Sequence, residues 1–205
     1  MMITILDYGS GNLHAIKNIY ERLNIPYEFA DSKDQLRKAD HIILPGVGAF
    51  DDTISTLKNN GFWAILNKKV LEEKVPLLGI CVGMQMFANS SEEGTLAGLG
   101  WIPGSVKKFD ASLITGKPKI PHLGWNSIDI TRNCPLFDNI DPTIGFYFIH
   151  SYYYKCADEI NVICTTEYGK AFHSAINKDN IFGVQFHPEK SHDNGIQLLK
   201  NFANL

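Results

Sequence analysis

The stretch PLLGICVGMQMF, residues 76–87, decides the reading of this chain. Pro76-Leu77-Leu78-Gly79-Ile80 is a short apolar run of the kind that forms a buried strand, and Val82-Gly83-Met84-Gln85 reads as the start of a helix. Cys81 stands at the junction, bracketed by Gly79 and Gly83. A cysteine kept for packing needs no such neighbours. One that must stand on a sharp strand-to-helix turn does, because glycines let the backbone fold tightly around a strained nucleophile.

Upstream of this stretch, apolar strand-like runs alternate with helical patterns. ITILDY (3–8) is strand-like, and the following NLHAIKNIYERL repeats apolar residues at Leu13, Ile16, Ile19, Tyr20 and Leu23, the spacing of one helix face. YEFA (27–30), HIILP (41–45) and PLLGI (76–80) are further short strands, separated by helical stretches such as 51–57 and 62–73. Such alternation predicts an α/β fold, a doubly wound and mostly parallel sheet with helices on both faces and ligands at the carboxyl ends of its strands. After about Gly98 the texture changes. WIPGSVKKF, HLGWNSIDI, GFYFIHSYYYK, NVICTTEYG and FHSAINKDNIFGVQF are strands and turns, with NKDN as a hairpin turn. An antiparallel β excursion is therefore expected in the C-terminal half, closed by a helix over about 192–203.

The global numbers bound the function. A chain of 205 residues, 44% hydrophobic, is long enough for one substantial core and short for two, so residues 1–205 are expected to form a single domain. Lysine and arginine number 19 against 22 acidic residues, a net charge of -3, which leaves no electrostatic footprint for a nucleic acid or an anionic membrane. The opening MMITILDYGSGN has no cationic residue before a short apolar run, and no run approaches the ~20 apolar residues of a spanning helix. A cytoplasmic enzyme is expected. Cys81, Cys134, Cys156 and Cys164 show neither a CxxC pair nor metal-type spacing, so free thiols and no metal are expected.

Two further segments lie at strand ends. In FGVQFHPEKSH, Pro188 disfavours the helical region for His187, which should be extended, and period-two geometry would point His187 and Glu189 the same way. A carboxylate beside an imidazole fixes its tautomer and stabilises its protonated form, as a general base for a thiol requires. Taken alone, the pair reads more readily as a strand-end histidine beside an unrelated surface glutamate. His192, five residues after His187, does not make a metal motif. In HIILPGVGAFDD a strand runs into Pro45-Gly46-Val47-Gly48. This GxG lacks the longer dinucleotide fingerprint and a phosphate-loop lysine, so no nucleotide cofactor is expected. Its alternative use is to aim a backbone N–H of Val47 or Gly48 at a developing oxyanion, paired with the N–H of Val82.

A nucleophile elbow, a histidine-carboxylate pair and a glycine loop, all at carboxyl ends of strands, resemble the triad-type (class I) glutamine amidotransferases. The likeness rests on GxCxGxQ (Gly79, Cys81, Gly83, Gln85), PGVGAF and FHPE, and it covers nearly the whole chain with every motif in order. It implies Cys81, His187 and Glu189 as catalytic residues and L-glutamine as substrate, hydrolysed through a cysteinyl thioester. PHLGWN, FYFIHSYY and GVQFHPEKS are similar to the branch that feeds a cyclase subunit with a (β/α)8 barrel in histidine biosynthesis, with Leu123 where that branch usually has methionine. That likeness implies Gln85, Glu93, Ser151 and Tyr152 in the glutamine site, and Asn12, Trp125, Tyr147 and Lys190 toward the partner of a heterodimer. Trp125 reads equally as core, and Glu93 as a solvated loop charge. Ammonia released into neutral water becomes ammonium and is lost as a nucleophile, so an acceptor enzyme is needed, and 205 residues leave it to a second chain. Two other readings stand beside this one: a paralogous subunit serving a cell-surface sugar pathway, and a cysteine hydrolase or binding module on the same elbow.

Overall fold

The computed structural model describes residues 2–117 and 119–205. Strands β1 (Ile3–Leu6), β2 (Tyr27–Ala30), β3 (His41–Gly46) and β4 (Leu77–Cys81) alternate with helices α1 (Leu13–Leu23), α2 (Lys33–Arg37), α3 (Phe50–Asn59) and α4 (Phe62–Asn67). Helix α4 continues as a π-helical turn over Lys68–Glu72. The short helix α5 (Val82–Gln85) follows β4 with no intervening loop. Next come β5 (Ser90–Ser91), β6 (Gly104–Lys108), β7 (His122–Asn126), β8 (Asp129–Ile130), β9 (Phe146–His150), β10 (Tyr152–Cys156), β11 (Val162–Tyr168), β12 (Lys170–Lys178) and β13 (Ile181–Val184). The last helix is α6 (His192–Phe202).

The main sheet runs β2-β1-β3-β4-β13-β12-β10-β6-β5, with β11 pairing β12 and β8 beside that path. From β2 to β13 every pairing is parallel. Strand β4 lies inside this parallel part, between β3 and β13, and is buried along its whole length, which is why LLGIC carries no polar face. The chain steps one way from β1 to β2 and the other way from β2 through β3 to β4, so right-handed crossovers set α1 on one face and α2, α3 and α4 on the other. Packing agrees: α1 lies against α6, where the Tyr20 hydroxyl donates to Leu199 O, while α4 contacts α2 and α3.

The C-terminal half differs from the sequence reading in two respects. β12 is antiparallel to β13 and β10, and β10 to β6, as an excursion requires. FGVQF, however, does not stay in it. The turn between β12 and β13, with Asp179 at φ 52°, reverses the chain so that β13 enters beside β4 and runs parallel to it. All four residues of β13 are buried, as a strand covered on both faces demands. FYFIHSYYYK likewise divides. β9 pairs with β7 in a separate two-stranded sheet, and after Ser151 the chain joins the main sheet as β10.

Candidate active site

Cys81 ends β4 and caps α5 with φ 56° and ψ -113°, a conformation that side-chain-bearing residues rarely adopt. The flanking glycines contribute space. Neither has a positive φ; a methyl on Gly79 would strike the Phe87 ring and the Met84 backbone, and one on Gly83 would overlap the Leu44 carbonyl oxygen. The elbow thus forces α5 against β3, and Cys81 itself bears the strain. Gly46 sits opposite Cys81 in the β3–β4 register, and a methyl there would press on the Gly83 nitrogen.

On the other side of β4, Val184 pairs with Ile80, so Gln185 comes level with Cys81 and His187 lies two residues beyond. His187 is extended, as its proline neighbour dictates (φ -105°, ψ 94°), and its Nδ1 is 2.8 Å from Glu189 Oε1. The pair meets by a different route from strand alternation, because Pro188–Lys190 form a 3₁₀ turn that swings Glu189 back under the ring. Both side chains are almost fully buried. Burial opposes a charged imidazole, but the hydrogen bonds to Cys81 and Glu189 outweigh it and lift the His187 pKa to about 10. Proton affinity is therefore concentrated on the ring beside the thiol.

These residues open on a cavity of about 390 Å³ lined by Val47, Gly48, Cys81, Val82, Gln85, Glu93, Pro121, Ile149, His150, Ser151, Tyr152, His187 and Lys190. All three implied catalytic side chains, both glycine-loop positions and all four implied substrate residues meet at or beside it. The Gln85 amide nitrogen is already engaged, donating to Tyr152 O and Gln185 Oε1, both at 3.0 Å, which leaves its oxygen for a bound molecule. Glu93 accepts from the Phe50 N–H at 2.9 Å, and burial raises its pKa.

In the glycine loop the two backbone donors differ. The Val47 N–H donates to Ser10 Oγ (2.9 Å), and the Ser10 hydroxyl donates to Val47 O (2.8 Å). Val47 N–H is therefore spoken for, and Gly48, at φ 104°, supplies the remaining donor of this loop. In a trans peptide the N–H opposes the C=O, so a Val47 carbonyl turned to Ser10 turns the Gly48 N–H the other way.

Behind the cavity lies a buried polar chain. His150 Nδ1 is 2.7 Å from Tyr152 O, which can only accept, so that nitrogen carries the proton. His150 Nε2 is then the acceptor for His122 Nδ1 at 3.2 Å, and His122 Nε2 for the Asn126 amide at 3.2 Å. Burial holds both rings neutral, with pKa values lowered to about 3 for His150 and about 4 for His122. The outward residues of the same two strands differ in character: Leu123, Trp125 and Ile149 are 39–49% exposed. Trp125 stacks on His192 (5.3 Å), and Lys190 Nζ lies 5.8 Å from the Tyr147 ring centre. Asn12 stands at the N-terminal cap of α1 and makes no side-chain capping bond there.

Sequence reasoning passed over Ser10, His150 and Gln185. Gln185 alone left a trace, as the one polar residue inside FGVQF, two positions before His187. No group of histidine, cysteine or carboxylate side chains able to hold a metal occurs among the described residues, and no described helix is long and apolar enough to cross a membrane.

A buried cysteine-histidine-glutamate set at strand ends defines an enzyme of the nucleophile-elbow type. The chain belongs to the class I glutamine amidotransferase family, whose model matches residues 4–205. It is 47% identical over 204 residues to the imidazole glycerol phosphate synthase subunit HisH of Leptospira interrogans, covering 100% of both chains. It is 50% identical over 201 residues to subunit HisH 2 of that synthase from Methanococcus maripaludis, covering 98% of each. Among solved structures, PurLQS from Thermotoga maritima shares the fold with a TM-score of 0.75 at 18% identity, over 99% of this chain and 97% of that one.

Proposed function

We propose that this chain is the glutaminase subunit of an imidazole glycerol phosphate synthase, releasing ammonia from L-glutamine for a separate cyclase subunit. The observation that carries the reading is Cys81 held at positive φ in a cavity also lined by His187, whose Nδ1 lies 2.8 Å from Glu189 Oε1 behind it. His187 takes the thiol proton, and the Cys81 sulfur attacks the side-chain amide carbon of glutamine. The N–H groups of Val82 and Gly48 meet the oxyanion. His187 returns its proton to the departing ammonia, leaving a glutamyl thioester, and water activated by the same ring releases glutamate. Glu189 keeps the imidazole in the tautomer this sequence needs. Glu93 suits the α-ammonium of glutamine, the Gln85 oxygen a polar N–H, and Ser151 and Tyr152 the rest of its main chain.

Ammonia must leave without meeting bulk water, so a partner belongs over the cavity mouth. The outward faces of β7 and β9 supply an apolar landing surface in Leu123, Trp125 and Ile149, with Val47 and Lys190 at the cavity itself. A (β/α)8-barrel cyclase docked there would complete a heterodimer with contacts at Trp125, Tyr147, Lys190 and Asn12. Glutamine hydrolysis measured for the chain alone, with the cyclase, and with the cyclase plus its ribonucleotide ligand tests this reading. Stimulation in the complex is expected, together with a loss of about 10³-fold or more in Cys81→Ala that leaves partner binding intact. Near wild-type turnover in that variant removes Cys81 from the mechanism. Failure of the cyclase to bind moves the chain to another acceptor pathway.

A further inference from the structure

Gln185 is fully buried, and a buried side-chain amide must find partners. Its orientation follows from its neighbours. Tyr152 O is a carbonyl and can only accept, so the Gln85 atom 3.0 Å from it is the amide nitrogen. The same nitrogen lies 3.0 Å from Gln185, so the Gln185 atom facing it is the oxygen. That leaves the Gln185 nitrogen on the other branch, 3.7 Å from Cys81 Sγ. The reverse orientation would set two NH₂ groups against each other and an amide oxygen against the sulfur.

We propose that Gln185 is a catalytic residue of the glutaminase reaction, donating a hydrogen bond from Nε2 to the Cys81 sulfur whenever that sulfur carries negative charge. The inference rests on Cys81 being the nucleophile, as proposed above. Such a donor acts twice. Before attack it stabilises the thiolate left when His187 takes the proton. In the second half-reaction the tetrahedral intermediate collapses by breaking the C–S bond, with the electron pair leaving on sulfur, and the same N–H stabilises that leaving group. His187 cannot supply this bond while its Nε2 proton is being passed to ammonia or water; Gln185 has no proton to lose. The register explains the placement: the residue after Val184 falls beside Cys81 whichever way the elbow turns.

The test uses Gln185→Leu, which keeps bulk and removes the donor. The pH dependence of Cys81 alkylation by iodoacetamide is measured on the isolated chain, and steady-state glutamine hydrolysis on its complex with the cyclase. The expected results are an alkylation midpoint raised by about one pH unit or more, and kcat/KM lowered roughly 10- to 100-fold, mostly through kcat. An unchanged midpoint in a folded variant overturns the proposal. Should Gln185→Leu fail to fold, the wild-type protein decides: with ¹⁵N-labelled glutamine, the Gln185 side-chain amide resonances must move as Cys81 ionises and again on its alkylation. Resonances that stay still overturn it. Wild-type turnover that survives complete alkylation of Cys81 sinks the glutaminase assignment of Cys81 and this inference with it, whereas turnover that alkylation abolishes, with still Gln185 resonances, sinks this inference alone.

Discussion

Around Cys81 the backbone has no spare room, whereas Gly48, in the wall of the same cavity, has nothing within 4 Å of the place where a methyl would stand. Gly79 and Gly83 keep ordinary backbone angles and are needed because neighbouring atoms touch them; Gly48 touches nothing and is needed for its φ of 104°. One glycine use makes a rigid mount for Cys81. The other makes a short segment whose peptide planes turn easily, restrained by a single serine hydroxyl. Chemistry that must be exact in position sits on the first. A group able to respond to a partner would have to sit on the second, since only an element with two accessible arrangements responds to binding.

The largest effect expected from this contrast is on Gly83→Ala. Its new methyl overlaps a backbone carbonyl of β3, which cannot move without disturbing the central sheet, so destabilisation of about 3 kcal/mol or more is expected. For a chain of this length that is a fall of roughly 6–12 °C in Tm. Gly48→Ala meets no atom and should lower Tm far less while still lowering glutamine turnover, because its strain is confined to the loop. Equal losses of Tm in the two variants, measured by calorimetry, would erase the distinction.

How much of this was legible in the sequence depends on how far apart the interacting residues lie. The parallel half was readable because strand and helix periods alternate locally. The elbow was readable because Cys81 and its glycines are neighbours, and His187 because Pro188 restricts it from the next position. The purpose of Gly83 was not: its close approach is to the Leu44 carbonyl of β3, more than thirty positions away. The return of β13 to the parallel sheet was equally hidden, since one hairpin turn reads the same wherever its second strand pairs. Ser10 with Val47 and Gln185 with Cys81 are separated by 37 and 104 residues, and no local period connects them.

A middle-sized effect is expected at the loop's restraint. Ser10→Ala removes both bonds to Val47, so the Gly48 N–H faces the oxyanion for only part of the time. Losing such a donor outright costs about 10² to 10³ in rate, and partial loss should cost about 10-fold in kcat with KM little changed. Stopped assays of glutamate release by the cyclase complex would measure it. A faster variant would reverse the assignment, making the serine-bound loop the withholding arrangement.

The smallest effect concerns the strain at the nucleophile. At an ordinary strand position glycine is less stable than alanine by about 0.5–1 kcal/mol, because it loses more freedom on folding. At φ 56°, ψ -113° the order should invert: these angles mirror those of an extended residue, natural for glycine and strained for any side chain. Cys81→Gly is therefore expected to be more stable than Cys81→Ala by about 1 kcal/mol, both variants being inactive, as urea denaturation can measure. Comparing the two variants with each other cancels the loss of the sulfur and leaves the backbone term. If alanine proves the more stable, the elbow stores no strain, and the glycines at 79 and 83 alone account for its sharpness.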